Sequence, residues 1–180
     1  MKKNKISKNW INKQRRDVYV RQSIVEGYNS RAVYKLKEID EKFKIFKNGN
    51  SIIDLGAAPG SWSQYVSKKV KHAKILSIDL LDFEKIENIC QIKGDFTDDV
   101  SKKKIKDYFY SKVDVVMSDM AVNTTGNKNL DSINTSELCI EAMNFSKEVL
   151  KEDGKFISKI FMGSTFNEII HESKKIFKEN

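Results

Sequence analysis

Four acidic side chains and two lysines are spaced so that a folded chain can bring them to one ligand. The first acid opens the stretch Asp54-Leu55-Gly56-Ala57-Ala58-Pro59-Gly60, in which the apolar run 51–55 ends in a loop of Gly and Ala that holds the only proline. Gly56 and Gly60 permit backbone angles or a close ligand approach that a Cβ would block, and Ala57 and Ala58 keep the turn nearly bare. Asp54, at the strand end, is expected to stay ionised among loop and helix N–H donors and to border the ligand. Ser61 and Gln64 suit a capping box, with Trp62, Tyr65, Val66 and Lys69 following at helical spacing. The competing reading is an ordinary strand-to-helix turn.

Asp79 ends the apolar run from Lys74, 23 residues after Gly56. That separation suits a carboxylate at the tip of the second strand of a nucleotide-binding unit, where it accepts both ribose hydroxyls. Asp95 follows Ile89-Cys90-Gln91-Ile92-Lys93-Gly94, placed to meet an adenine amino group with Phe96 as an apolar wall. An acidic cap on the next segment is the competing view. Asp119 ends the run from Val113.

The elements that must position these groups alternate. Residues 17–26 have helical potential with Val18, Ile24 and Val25 apolar, and a stronger helix from Arg31 carries Ala32, Leu36, Ile39 and Phe43 on one stripe, capped by Ser30. Lys35 lies beside that stripe, where it either reaches a cleft or snorkels over apolar neighbours. Strands are expected at 51–55, 74–79, 89–93, 113–118 and 155–161, and helices at about 62–70 and 101–109. Two further helices are expected, one capped by Asn134 and Glu137 and one starting at Thr165. The polar stretch 124–129 reads as a strand-end loop bordering a substrate. Five strands separated mostly by helices imply an α/β fold, an open doubly wound and mainly parallel sheet whose loops converge at the carboxyl edge.

The 180 residues suit one domain, and 39% apolar with 32% charged composition is globular. Cys90 and Cys139 are too isolated for a disulfide framework or a zinc site, and no metal is expected. There is no membrane-length apolar run and no signal-like segment, so a soluble, reducing compartment is expected. Of the formal charge of +8, the first 37 residues contribute +9, eleven Lys or Arg against Asp17 and Glu26. Such asymmetry suggests a polyanion surface, with Arg15, Arg16, Arg21 and Arg31 central to it.

With these loops placed, the chain resembles the heat-shock-associated family of large-subunit ribosomal RNA uridine 2′-O-ribose methyltransferases, within the S-adenosylmethionine-dependent class. The resemblance rests on Ser30 through Leu36, Asp54 through Gln64, Asp79-Leu80-Leu81, Gly94-Asp95-Phe96, Met117 through Ala121 and Ser158-Lys159-Ile160-Phe161. It implies a Rossmann-like methyltransferase fold over 30–180, preceded by a basic RNA-docking arm at 1–29. It also implies S-adenosylmethionine contacts at Gly60, Trp62, Asp79, Asp95 and Asp119, and a catalytic group of Lys35, Asp119 and Lys159, with Lys35 also on the RNA side. The implied substrate is large-subunit ribosomal RNA within a 50S-type particle, methylated by a cytoplasmic monomer.

Attack on a methyl sulfonium demands in-line orientation of the sugar oxygen, and the hydroxyl needs a proton acceptor. Lys159 is one candidate, on the condition that desolvation and Lys35 lower its pKa, and Asp119 is the other. The sequence leaves that choice open. Ser61 stands where the family usually has glycine, an exchange tolerable for a helix cap, and Val122 replaces a usual proline. The family also carries a late glutamate and two C-terminal antiparallel strands, and the expectation is that the 180 residues omit that segment. Two rival functions remain: a non-catalytic RNA-binding ribosome-assembly factor, and a nicotinamide-dependent oxidoreductase, which the lack of G-x-G-x-x-G spacing disfavours.

Overall fold

The structure, a computed structural model, describes residues 16–120 and 127–178. Helix α1 (Val18–Val25) starts where Asp17 Oδ1 accepts the N–H groups of Tyr19 and Val20, at 2.9 and 3.3 Å. Its apolar residues do not build core: Val18, Ile24 and Val25 are all exposed. Helix α2 (Val33–Phe43) buries Val33, Tyr34 and Leu36, whereas Phe43, expected on the same stripe, sits at the helix end and is exposed. Ser30 Oγ accepts the Ala32 N–H at 3.3 Å just before α2 and makes no cap bond to its first turn.

Five strands follow: β1 (Ser51–Leu55), β2 (Lys74–Asp79), β3 (Ile89–Lys93), β4 (Val113–Ser118) and β5 (Leu150–Ser158). All pair in parallel, in the order β3-β2-β1-β4-β5. The connecting helices are α3 (Ser61–Lys69), α4 (Asp99–Phe109), α5 (Lys128–Val149) and α6 (Phe166–Ile176), the last following β5. Strand alternation assigns the layers. Ile52, Ile75, Val115, Met117 and Ile157 pack with Val33 and Leu36 of α2 and Trp62, Tyr65 and Val66 of α3. Ile53, Leu55, Leu76, Ile78 and Val116 pack with Ile105 and Phe109 of α4 and Ala142, Phe145 and Val149 of α5. The sheet is thus doubly wound, as expected. No helix among the described residues is long and apolar enough to cross a membrane.

Two boundaries differ from the sequence reading. Helix α5 begins about two turns before Asn134 and Glu137, at an Asn127 cap whose Oδ1 accepts Asn129 N–H and Leu130 N–H at 3.1 and 3.4 Å. On the buried side of its first turns Ser136 donates to the Ser132 carbonyl at 2.7 Å and meets Thr165 Oγ1 at 2.5 Å, while the Thr135 hydroxyl is buried without a partner. Strand β5 begins straight out of α5 at Leu150 and is irregular between the Val113↔Leu150 and Val115↔Lys155 pairs. It ends at Ser158, because β4 ends opposite it at Ser118. Lys159 through Phe161 therefore follow the strand.

One carboxylate organises the α2–α3 layer and had no signal in the sequence. Asp40 is fully buried, accepts the N–H groups of Ile45 and Phe46 at 2.9 and 3.1 Å and the Tyr65 hydroxyl at 2.8 Å, and pairs with the Lys69 ammonium. Burial alone would raise its carboxyl. The Lys69 ammonium, the Tyr65 hydroxyl and the Phe46 N–H outweigh burial and hold it below the usual carboxylate range. A lowered folded value means the contribution is present above the unfolded pKa and fades as pH falls toward the folded one. Asp40→Ala should cost about 3 kcal/mol in urea unfolding at pH 7, since it strands two N–H groups and an ammonium. A loss below about 1 kcal/mol would show that the network contributes little.

Candidate active site

Parallel strands place the loops after β1, β2, β3, β4 and β5 on one rim, and the sheet order reverses between β1 and β4. That switch point opens the crevice where doubly wound sheets take ligands. Gly56 and Gly60 sit there with φ of 69° and 99°, the left-handed region that glycine tolerates. Close contact adds a second reason. A Cβ on Gly56 would collide with Met120 Cγ, and one on Gly60 would come within 2.8 Å of Ile86 Cδ1 and 3.0 Å of Phe83 Cδ2.

The loop hangs from the end of β2. Gly56 N–H and Ala57 N–H donate to the Ile78 carbonyl at 2.9 and 3.1 Å, and Gly60 N–H closes back on Ala57 O at 2.6 Å. Asp79 lies at the tip of β2 as expected, half-buried, and braces the same loop. Its Oδ2 accepts Ala58 N–H at 2.9 Å and its Oδ1 accepts Leu81 N–H at 2.8 Å. Gly60 itself is the N-cap of α3, so the expected capping box does not form. Ser61 instead meets Ser30 Oγ at 2.8 Å, and the Gln64 side chain turns to Asn29.

Asp54 is corrected in two respects. It is fully buried beneath the loop, so it supports the loop from below and presents no oxygen to a ligand. Its Oδ2 accepts the Ser63 hydroxyl at 2.5 Å, while Oδ1 has no hydrogen-bond partner. Burial pushes its carboxyl up to about 7 against the lowering bond from Ser63, and the nearby charges of Asp119 and Asp79 push further. Near neutral pH it is therefore substantially protonated rather than held ionised. The Trp62 indole is buried and donates to the Ala32 carbonyl at 3.0 Å. Phe96, expected as an apolar wall, is buried among Ile78, Ile105 and Phe145.

Asp95 opens a turn and does not cap α4, whose N-cap is Asp98. The Asp95 Oδ1 accepts both the N–H and the hydroxyl of Thr97, at 2.9 and 2.7 Å, and the side chain remains half-buried at the rim. Across the crevice, Lys159 N–H donates to Ser118 O at 2.9 Å, and its ammonium donates to Asp119 Oδ1 at 2.5 Å and Asp119 O at 2.8 Å. Both side chains are about one-fifth exposed. Lys35 projects exposed from the first turn of α2 and makes no ion pair among the described residues.

Arg16 and Arg21 are exposed, and Arg31, also exposed, pairs with the Asp17 cap of α1. Arg15 and Val122 lie outside the described residues. No group of His, Cys, Asp and Glu suited to a metal occurs among the described residues. A cavity of about 510 Å³ between α4 and α5 opens beside Val113, at the amino end of β4, and contains none of these groups.

A glycine-bearing loop at the switch point, an acid at the tip of β2 and a lysine–aspartate pair after β4 and β5 thus share one rim of the sheet. The chain belongs to the FtsJ-like methyltransferase family, which matches residues 28–180. It is 69% identical to "Ribosomal RNA large subunit methyltransferase E" of Pelagibacter ubique (strain HTCC1062), over 99% of this chain and 88% of that one. The protein of the same name from Rickettsia akari (strain Hartford) is 47% identical over 96% of this chain and 78% of that one. A crystal structure from Plasmodium falciparum, assigned as a ribosomal RNA methyltransferase, superposes with a TM-score of 0.77 at 34% identity, covering 84% of this chain and 88% of that one. The nicotinamide oxidoreductase and non-catalytic readings are not favoured by these matches.

Asp54 binds its proton more tightly folded than unfolded, so its contribution to stability is full below about pH 4 and is lost as pH rises to about 7. Replacing it by Asn should flatten that decline by on the order of 1 kcal/mol per pH unit, measured by urea unfolding at pH 4.5, 5.5 and 6.5. Parallel wild-type and variant profiles would refute the buried, proton-holding state.

Proposed function

We propose that this protein methylates a uridine ribose 2′-hydroxyl in large-subunit ribosomal RNA, with S-adenosylmethionine as donor. The observation that carries the reading is the Lys159–Asp119 pair at the switch-point rim of an FtsJ-like chain. The names borne by the Pelagibacter and Rickettsia relatives support ribosomal RNA as substrate.

The residues present fit such a donor. The loop turned at Gly56 and Gly60 lies on the rim, Asp79 offers a carboxylate where a ribose would sit, and Asp95 and the Trp62 main chain border the same rim. Asp54 belongs to the support of this loop. When bound, S-adenosylmethionine supplies a methyl group already activated on a sulfonium sulfur, so the protein's task is orientation and proton removal. The Lys159 ammonium and Asp119 carboxylate offer a donor to hold the sugar oxygen and an acceptor for its proton, with Lys35 as the third member. Exposed Arg16, Arg21, Arg31 and Lys35 supply the RNA-docking cations of the described residues, and Arg15 precedes them in the sequence. A 50S-type particle as substrate, a monomeric enzyme and a cytoplasmic setting complete the proposal.

Lys159→Ala in the full-length protein should lower methyl transfer from labelled cofactor to large-subunit RNA at least about 100-fold. Cofactor affinity, followed by calorimetry, should stay within about threefold. An unchanged rate would remove Lys159 from the reaction. Deleting residues 1–16, which hold seven Lys or Arg, should weaken RNA binding and flatten its dependence on salt. An identical salt slope would exclude the arm as a phosphate-binding element.

A further inference from the structure

The segment joining α1 to α2 is tied to the glycine loop and to α3 by side-chain bonds that neither the fold nor the proposed chemistry requires. Asn29 N–H donates to Gln64 Oε1 at 2.8 Å, and Gln64 Nε2 returns a bond to Asn29 Oδ1 at 3.0 Å. Asn29 Nδ2 donates to the Pro59 carbonyl at 2.5 Å. Ser30 and Ser61 hydroxyls meet at 2.8 Å, and the Trp62 indole donates to Ala32 O at 3.0 Å. Residues 29, 30 and 32 are thus fastened to residues 59, 61, 62 and 64.

What lies at each end gives this seam its meaning. On one side are Pro59 and Gly60, the lip of the loop on which a donor would rest. On the other, Arg21 and Arg31 flank the segment and Lys35 stands three residues beyond Ala32. Gly27, with φ of 69°, marks where the chain turns out of α1, so residues 28–32 form a short bridge between two helices. The Ser30–Ser61 contact and the Trp62 bond are half-buried and hold that bridge to the fold, whereas the Asn29–Gln64–Pro59 set is exposed. Exposed amide bonds exchange readily with water and stabilise little alone. They hold best when both partners are already ordered, so a ligand that orders either side favours the seam, and the seam then favours the ligand of the other side.

We infer that the Asn29–Gln64 pair couples occupancy of the cofactor loop to RNA binding, which makes both of them positioning residues. The inference rests on the RNA and S-adenosylmethionine reading above. It assigns neither residue to contact with either ligand. Gln64 is half-buried on the first turn of α3 and its amide faces Asn29, so truncating it leaves the core of Trp62, Tyr65 and Val66 in place.

The test measures affinity for a fluorescent large-subunit RNA fragment by anisotropy, with and without saturating S-adenosylhomocysteine, which permits no turnover. The wild-type full-length protein should bind RNA about five- to tenfold tighter with the ligand present. In Gln64→Ala and in Asn29→Ala that ratio should fall to within twofold of unity. RNA affinity without ligand, and ligand affinity without RNA, should each change less than threefold. The double variant should add nothing to either single one, as two halves of one link require.

A wild-type ratio of one, or a full ratio kept by Gln64→Ala, would overturn the coupling while leaving the methyltransferase reading intact. Failure of the wild-type protein to bind RNA or the ligand at all would overturn that reading and the coupling with it. Loss of RNA affinity in Gln64→Ala without ligand, at an unchanged ratio, would overturn coupling in favour of a plain structural role.

Discussion

Parallel pairing of β4 with β5 sets the position of the Lys159 ammonium against Asp119. Ser118 and Ser158 are paired in register, and the next residue on each strand is the acid and the base of the crevice. The ladder continues one bond further, from Lys159 N–H to Ser118 O at 2.9 Å, so the two main chains are held before the side chains interact. At about one-fifth exposure the pair is partly buried, so desolvation offsets much of its attraction. The pair is therefore held in place by the sheet and does not itself hold the sheet. An antiparallel β5 would have carried Lys159 to the opposite rim, away from Asp79 and Asp119.

Two aspartates on the same face of the sheet show how local partners decide the state of a buried acid. Asp40 and Asp54 are both fully removed from solvent, yet their carboxyls move in opposite directions. Asp40 has an ammonium, a phenol and two N–H donors, which together outweigh desolvation. Asp54 has one hydroxyl donor and two carboxylates nearby, so desolvation prevails. Ser63 also meets Ser77 Oγ at 2.6 Å, so the base of the glycine loop is a small hydroxyl–carboxyl cluster set into an apolar face. Such a cluster fixes the direction in which α3 leaves the loop, because each hydroxyl satisfies its neighbour in only a few arrangements.

The basic N-terminal region is anchored by different means. Helix α1 buries only Ser23, and it is linked to the rest by the Tyr19–Tyr34 ring contact at 5.4 Å, by the Asp17–Arg31 and Glu26–Lys37 pairs and through Tyr28. The Tyr28 ring lies between the ammonium groups of Lys37 and Lys68, 4.6 and 4.2 Å from its centroid. These attachments are largely polar, with the Tyr19 ring on buried Tyr34 and the partly buried Tyr28 ring as their contact with the core. The amide seam to residues 59–64 belongs to the same layer of weak, directional contacts.

The amino-acid sequence by itself determined the five strands, their alternation with helices and the set of acids that the strand ends carry. Each of these is a local signal: apolar runs of five or six residues, glycines where the backbone must turn, and an acid at the next position. Asp79, Asp95 and Asp119 could be placed at or after strand ends for that reason, and parallel topology then put those strand ends on one rim, whereas Lys159 was singled out through the family resemblance. Only the tertiary structure decided which groups share space. It buried Asp54 with too few donors to stay ionised, turned the Trp62 indole and Phe96 into the core, and paired Arg31 with Asp17. It also made a helix of the polar residues from Lys128, because Ser132 and Ser136 meet Thr165 about thirty residues on. Asp40 and Asn29 were invisible for the same physical reason: the Tyr65 and Lys69 partners of Asp40 and the Pro59 and Gln64 partners of Asn29 lie 25 or more residues away along the chain, and no spacing rule spans a contact that only folding creates.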